Sequence, residues 1–158
     1  MTYGEQYNRV KRYYDRFAEL DKGRIHNADS DNYVDDIYAF FQNCYHLKDW
    51  IKNDGSIGIP GIKDRVEQHI NGSRSLRLCA DLCNGTKHLA RDRSDRSKEN
   101  PKFGGKTFGL GIGSETTLSL KYQVEAYQGA IDAFKLATDC VEAWEVFLKQ
   151  ENLLPVLG

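Results

Sequence analysis

Two predicted helical segments each place a histidine among other polar side chains, and these side chains have the clearest capacity for chemistry. Residues separated by steps of four, three and four positions share one face of a helix. The first set with this spacing, the first polar ribbon, consists of Gln42, His46, Asp49 and Asn53. The second polar ribbon consists of Arg77, Asp81, Asn84 and His88. Each ribbon combines an imidazole, a carboxylate and an amide, and the second adds a guanidinium.

The two histidines predict acid–base chemistry if both ribbons face one groove. His46 and His88 would then act as acid and base, because imidazole is the side chain that titrates near neutral pH. Asp49 or Asp81 would fix the tautomer of one of the rings. The spacing therefore makes His46, Asp49 and His88 candidate catalytic residues.

Cations lie close to the second ribbon and suit the binding of phosphate groups. Arg77 belongs to the ribbon itself, and Lys87 precedes His88. Arg91 and Arg93 open a charged stretch over residues 91–105 that we expect to be a flexible loop, and they could contact a nucleic-acid backbone. Acidic residues nearly balance the cations of this stretch, so an ordinary solvated loop is the alternative.

Other interpretations of the two ribbons remain open. Polar residues must occupy the solvent face of an amphipathic helix, and a polar network could instead join two helices or two subunits. His46 and Asp49 could also ligate a metal, as could Asp81 and His88. Carboxylate-bridged sites in helical bundles usually contain a Glu-x-x-His motif, and the chain has none. We therefore expect no metal ion and no cofactor.

Four cysteines, Cys44, Cys79, Cys83 and Cys140, fall among apolar neighbours in helical patterns. Cysteine in that setting behaves as a small buried hydrophobe, so we expect reduced thiols in the core. Cys79 and Cys83 lie one turn apart and could form a zinc site with Cys44, but the Cys-x-x-Cys spacing of zinc knuckles is absent.

Apolar periodicity indicates the elements that position these residues. Helical spacing predicts a first helix ending near Gly23, a second between the Asp29–Asp31 cluster and Gly55, a third over 62–72, a fourth to about Ala90 and a long last helix over 124–151. Alternation over 106–122 predicts a two-stranded hairpin. The fold class is thus mostly α: one domain over 1–158, an antiparallel bundle of four to five helices with one β-hairpin inserted before the C-terminal helix.

Length and composition fit such a domain and say little about partners. The 158 residues are 40% hydrophobic and carry a formal net charge of −1, which gives no general attraction to nucleic acid or to a membrane surface. A basic, apolar leader and a membrane-length apolar run are both missing from the sequence. We expect a cytoplasmic protein without a membrane partner, self-associating through an aromatic-bearing helix face.

The segments 45–50 and 81–88, together with the aromatic last helix around Trp144, resemble small bacterial helical proteins related to the HEPN superfamily. The resemblance implies a HEPN-like bundle, frequent dimerisation, and metal-independent RNA cleavage by toxin or defence proteins in many but not all members. It makes Asn84 and His88 the counterparts of the polar residue and the terminal histidine of the family's Arg-to-His motif. Arg77, about three turns before His88, lies further away than the family's arginine.

Two classes of function follow. The first is a HEPN-like RNA-associated protein, whose catalytic form would be a metal-independent ribonuclease of a bacterial toxin or defence system. The second is a non-enzymatic interaction or structural module whose polar helix faces make dimer or partner contacts. RNA, a cognate protein partner and a second copy of the chain are the expected partners.

Overall fold

The computed structural model describes residues 1–25, 33–87 and 96–156, and it confirms a mostly α fold with a hairpin before the C-terminal helix. The helices are α1 (Tyr3–Lys22), α2 (Tyr33–Asn53), α3 (Ile62–Gly72), α4 (Arg74–Lys87) and α5 (Ala133–Gln150). The strands are β1 (Arg24–Ile25), β2 (Lys102–Gly111), β3 (Thr117–Ala126) and β4 (Gly129–Asp132). None of the helices in these three ranges is long and apolar enough to cross a membrane.

Capping groups set several of the helix ends. Thr2 and Glu5 form a capping box at the start of α1, so two otherwise unpaired backbone amides are satisfied. Asp132 accepts a hydrogen bond from the amide of Lys135 at the start of α5. Ser73 caps the start of α4, as the sequence predicts: its hydroxyl accepts a hydrogen bond from the amide of Leu76 at 3.4 Å. The sequence predicts the C-terminal ends of α1, α2 and α3 correctly, and α4 begins directly after Ser73 as predicted.

The core lies where the apolar faces of the helices meet the sheet. Phe17 of α1 packs edge-to-face on Phe40 and Phe41 of α2, with ring centroids 6.1 and 6.3 Å apart. Trp144 of α5 is 1% exposed, and its indole nitrogen donates to the backbone oxygen of Cys44 at 3.0 Å. Helix α2 therefore contacts α1 on one side and α5 on another, in agreement with its wide apolar face.

The sheet is antiparallel, with β2 at one edge, β3 in the centre, and β1 and β4 pairing with different parts of β3. Leu120, Tyr122 and Val124 of β3 are buried, which makes their face the one that packs on the helices. On the other face, Gly109 of β2 lies where an added Cβ would collide with the hydroxyl of Ser119. A larger residue at this position would require the Ser119 hydroxyl to rotate away.

The prediction that the last helix begins near residue 124 is wrong. Residues 124–126 end β3, residues 129–132 form β4, and α5 begins only at Ala133. Tyr127, which the near-heptad spacing places on an apolar helix face, is 88% exposed between the two strands. The alternation of Leu120, Tyr122 and Val124 continues the strand, and pairing with β3 outweighs the helical spacing.

The charged stretch over 91–105 also differs in its second half from the flexible loop that its composition suggests. Residues 102–105 belong to β2. Glu99 is buried, accepts two hydrogen bonds from Arg74 at 2.9 and 2.8 Å, and offers its backbone oxygen to the amide of Tyr127 at 2.9 Å. These contacts attach the segment after residue 95 to α4 and to the sheet, whereas residues 91–95 lie outside the described part of the chain.

Candidate functional site

The first polar ribbon lies on α2 and is only partly exposed. His46 is half-buried, and its ring centroid lies 6.2 Å from that of Tyr45. Asp49 has a side chain that is 54% exposed and lies 4.0 Å from the Nζ of Lys48. Asn53 donates to the backbone oxygen of Asp49 at 2.8 Å. The imidazole thus lies at the border of core and surface, whereas the carboxylate is a surface group.

The second polar ribbon lies on α4, and its carboxylate has a structural role. Asp81 is 2% exposed, with Oδ1 accepting from the amide of Arg96 at 2.9 Å and Oδ2 from the amide of Ser97 at 2.9 Å. The Ser97 hydroxyl donates to the same Oδ2 at 2.5 Å. Arg77 donates to the backbone oxygen of Asn71, and Asn84 is exposed. Both oxygens of Asp81 therefore hold the turn at 96–97, and the expected bond to a histidine ring is not among the contacts described for it.

Several predicted site residues cannot be placed. His88, Arg91 and Arg93 lie outside the described residues, and so does the side chain of Lys87, whose backbone ends α4. The pairing of His46 with His88, on which the acid–base hypothesis depends, therefore stays a prediction.

Arg96 connects the two helices that carry the ribbons. Its backbone is held by Asp81 of α4, and its side chain interacts with Tyr45 of α2. The guanidinium also donates to Glu67 of α3 at 2.9 Å. The faces of α2 and α4 near Tyr45 and Asp81 are therefore joined by one loop residue, which places a cation beside Tyr45.

Three cations converge on one carboxylate at this place. Lys52 Nζ lies 2.6 Å from Glu67 Oε1, and Lys48 Nζ lies 3.7 Å from the same oxygen. Arg96 contacts the second oxygen of Glu67. We call these four residues the Glu67 cluster. Lys48 also lies 4.5 Å from the centroid of the Tyr45 ring, a cation–π contact.

The Glu67 cluster makes folding stability depend on pH. Burial would raise the pKa of Glu67, but hydrogen bonds from Lys52 and Arg96 and the charge of Lys48 outweigh it and lower the pKa from 4.5 to about 2. Because the folded-state pKa lies below the unfolded one, the cluster stabilises the fold above pH 4.5, and this stabilisation is lost as the pH falls toward 2. We expect Glu67→Gln to flatten the pH dependence of the unfolding free energy in that window.

Urea titrations of both proteins at a series of pH values measure this effect. Asp49→Asn is the matched control, because Asp49 is an exposed acid on α2 near one of the same lysines. A Glu67→Gln protein that still lost stability as steeply as the parent between pH 4.5 and 2 would contradict the assignment to Glu67.

A cavity of about 500 Å³ opens elsewhere, between β4 and the starts of α4 and α5. It contains two cationic side chains, Arg74 and Lys135. Arg74 is held by Glu99, and Lys135 lies 3.0 Å from Asp139. Since both cations already have carboxylate partners, the cavity offers no charge for an anionic ligand and lies apart from the predicted site.

One group among the described residues has the donor types and distances to hold a metal ion. The sulfur atoms of Cys44, Cys79 and Cys140 all lie within 4.8 Å of one another. All four cysteines lie in the described part of the chain, are buried and form no disulfide there, which confirms the expectation of reduced core thiols. The third member is Cys140 of α5, and not Cys83 as the one-turn spacing suggests.

The hairpin carries an exposed apolar strip that the sequence prediction passed over. Phe108, Leu110 and Ile112 are 56, 66 and 88% exposed. Phe108 and Leu110 pair with Leu120 and Leu118 of β3, so they lie on the helix-facing side of the sheet, beyond the part that the helices cover. We call these three residues the hairpin patch. Their alternation was visible in the sequence, but nothing there shows that β2 overhangs the helices.

Comparisons with protein-family models, with curated proteins and with solved structures gave no match to this chain.

Proposed function

We propose that this chain is a protein-interaction module that self-associates by pairing the β2 strands of two copies edge to edge. The observation that carries the proposal is the hairpin patch, because large apolar side chains exposed together on a strand mark a contact surface. β2 lies at the edge of the sheet and is ten residues long. An edge strand of that length offers a row of backbone donors and acceptors to another strand.

The sequence of β2 is compatible with pairing to the same strand of a second copy. In an antiparallel pair centred on Phe108, a two-fold axis places Phe108 against Phe108 and Leu110 against Lys106 of the second copy. The only charged residues of β2 are Lys102 and Lys106, and neither faces another charge of β2 in this register. Pairing therefore buries apolar side chains beside one another without opposing like charges.

Substituting Leu110 by lysine or by glutamate tests whether β2 is the contact surface and which residues face each other across it. Leu110→Lys opposes Lys106 of the second copy twice in each dimer, whereas Leu110→Glu meets the same lysine with the opposite charge. We expect the lysine variant to weaken dimerisation about 100-fold, or nearly 3 kcal/mol, and the glutamate variant to dimerise at least about fivefold better than it. Sedimentation velocity over a concentration series measures both constants.

Tyr127→Lys is the control, because Tyr127 is also a large exposed residue, at 88% against 66% for Leu110, but lies in the turn after β3. Unchanged association of both Leu110 variants would exclude the edge of β2, and a monomeric parent protein would exclude self-association. If the lysine and glutamate variants weaken dimerisation equally, β2 is supported as the contact surface, but the pairing of Leu110 with Lys106 is rejected.

The Glu67 cluster favours a second candidate function, RNA association, which the HEPN-like resemblance also suggests. Three cations face the one carboxylate of Glu67, and Asp49 offsets only part of their excess charge. One of the three, Lys48, lies over the aromatic ring of Tyr45. Cations next to an aromatic ring suit the backbone and bases of single-stranded RNA. In this proposal His88 supplies acid–base catalysis, Asn84 contributes a polar contact beside it, and Arg77, Lys87, Arg91 and Arg93 bind the phosphates.

Binding to a mixed single-stranded RNA pool across a salt series tests this candidate. We expect Lys52→Ala to weaken binding of all sequences alike and to reduce the salt slope by about 0.7, the value for one phosphate contact on a single strand. Lys135→Ala removes a distant lysine paired with Asp139 and is the control. Equal slopes for the parent protein and Lys52→Ala would remove Lys52 from the interface.

Cleavage is tested separately, with and without chelator. Chelator-resistant cleavage that disappears in His88→Ala would support a metal-independent ribonuclease, provided that the variant keeps its helical circular dichroism. Cleavage that persists in the variant would show that His88 takes no part in the mechanism. If the protein neither binds nor cleaves RNA, RNA association is rejected and the interaction module is the function that stands.

A further inference from the structure

Three helices that are far apart in sequence bring their thiols to one point of the core. Cys44 comes from α2, Cys79 from α4 and Cys140 from α5, and each is 0% exposed. Their sulfurs lie within 4.8 Å of one another. We call this group the thiol cluster. Helix packing must hold all three side chains there, so the cluster is a preformed arrangement of soft ligands.

Backbone contacts orient the cluster. The thiol of Cys79 donates to the backbone oxygen of Phe41 at 3.4 Å, and that of Cys140 to the backbone oxygen of Ser75 at 3.3 Å. The indole nitrogen of Trp144 donates to the backbone oxygen of Cys44 at 3.0 Å, which fixes α2 at the third cysteine. The three sulfurs therefore have a defined arrangement before any ion is bound.

We propose that Cys44, Cys79 and Cys140 form a binding site for one soft monovalent cation, for which Cu(I) is the matching ion. Sulfur ligands select soft ions such as Cu(I). When Cu(I) replaces one thiol proton the complex stays neutral, as a dry core requires. The softness of the three ligands therefore points to Cu(I), and the charge of the complex is compatible with it.

The number and spacing of the sulfurs also match a three-coordinate ion. With metal–sulfur bonds of about 2.3 Å, a trigonal ion holds its sulfurs about 4.0 Å apart, so side-chain rotation of less than 1 Å per sulfur closes the site. Zinc is less suitable, because structural zinc takes four ligands and catalytic zinc keeps an open position for water. The group holds three sulfurs and all three are fully buried.

The stoichiometry of binding is simple and involves no change of oxidation state. Cu(I) replaces one thiol proton of the cluster, which passes to solvent, and the other two sulfurs complete the coordination through their lone pairs. Because the site is closed, we expect slow uptake by the folded protein through local opening and fast uptake during refolding.

The test is anaerobic transfer of Cu(I) from its bicinchoninate complex to the intact, reduced protein. One sample is incubated folded, and a second is refolded from guanidinium in the presence of the complex. We expect one copper per chain by native mass spectrometry, and a higher Tm in proportion to occupancy. In a Trp50→Phe background, where Trp144 is the one remaining tryptophan, binding should also quench its fluorescence.

Matched variants separate the cluster from thiols in general. Cys140→Ala should lose the copper, whereas Cys83→Ala, which removes an equally buried thiol from the same core, should keep it. Cys79→Ala replaces Cys140→Ala if the latter does not fold. The proposal is overturned if neither sample of the parent protein takes up copper, if Cys83→Ala loses it as completely as the cluster variants, or if equimolar Zn(II) displaces it.

Discussion

Replacing Trp144 with alanine should lower the free energy of unfolding by about 3–5 kcal/mol, the range for deleting a large aromatic side chain from a packed core. The indole is 1% exposed and lies between three helices. Its ring centroid is 6.1 Å from that of His69 in α3 and 6.0 Å from that of Phe147 in α5. Its nitrogen donates to the backbone oxygen of Cys44 in α2, so the same side chain supports the thiol cluster.

Urea denaturation of two further variants separates the volume of the indole from its hydrogen bond. Trp144→Phe keeps most of the volume and should cost about 1–2 kcal/mol, chiefly for the lost donor and the smaller ring. Val146→Ala alters a half-exposed position of the same helix and should stay within about 0.5 kcal/mol of the parent. A loss below about 1.5 kcal/mol for Trp144→Ala would mean that the indole does not fill the core as described.

The sequence predicts the helices well, because their apolar residues follow one dominant period. Ile62, Val66 and Ile70 recur every four positions and end at Asn71-Gly72, and α3 has those bounds. The start of α5 is different. Alternation extends the strand through residue 124, whereas near-heptad spacing predicts a helix from about residue 124, and only pairing with β2 and β4 decides between them. Local patterns cannot supply that information.

The candidate site was predictable in residue type but not in arrangement. Helical spacing places Asp81 on a polar face, yet the residue is buried, because the turn at 96–97 folds back over it. The thiol cluster shows the same limit. Each cysteine is visible as a core residue, but the choice of Cys140 over Cys83 as the third member depends on how α5 packs on α2 and α4.

These two limits concern the same physical step, the packing of elements that are distant in sequence. Arg96, Glu67 and Tyr45 come from a loop and two helices, and no spacing rule connects them. Charge patterning does indicate that Arg96 and Glu67 are surface ions. Their convergence with Lys48 and Lys52 follows only from the fold, so the network has to be tested by substitution.

Asp81→Ala should destabilise the protein by about 2–3 kcal/mol, because buried hydrogen bonds to a charged group are lost and two backbone amides lose their acceptor. Asp81→Asn keeps one acceptor oxygen and should cost roughly half as much. Asp49→Ala removes the exposed carboxylate of the first ribbon and should stay within about 0.5 kcal/mol of the parent. Urea denaturation of the three variants measures these differences.

The same variants decide between a structural and a catalytic role for Asp81. If its role is to hold the 96–97 turn, Asp81→Ala should also release Arg96 from Glu67, and it should therefore lose the part of the pH dependence of stability below pH 4.5 that Arg96 contributes. Asp81→Asn, with one bond to the turn retained, should lose less of that dependence. A stable Asp81→Ala protein with an unchanged pH profile would show that the turn does not need the carboxylate, and would return Asp81 to the candidates for acid–base chemistry.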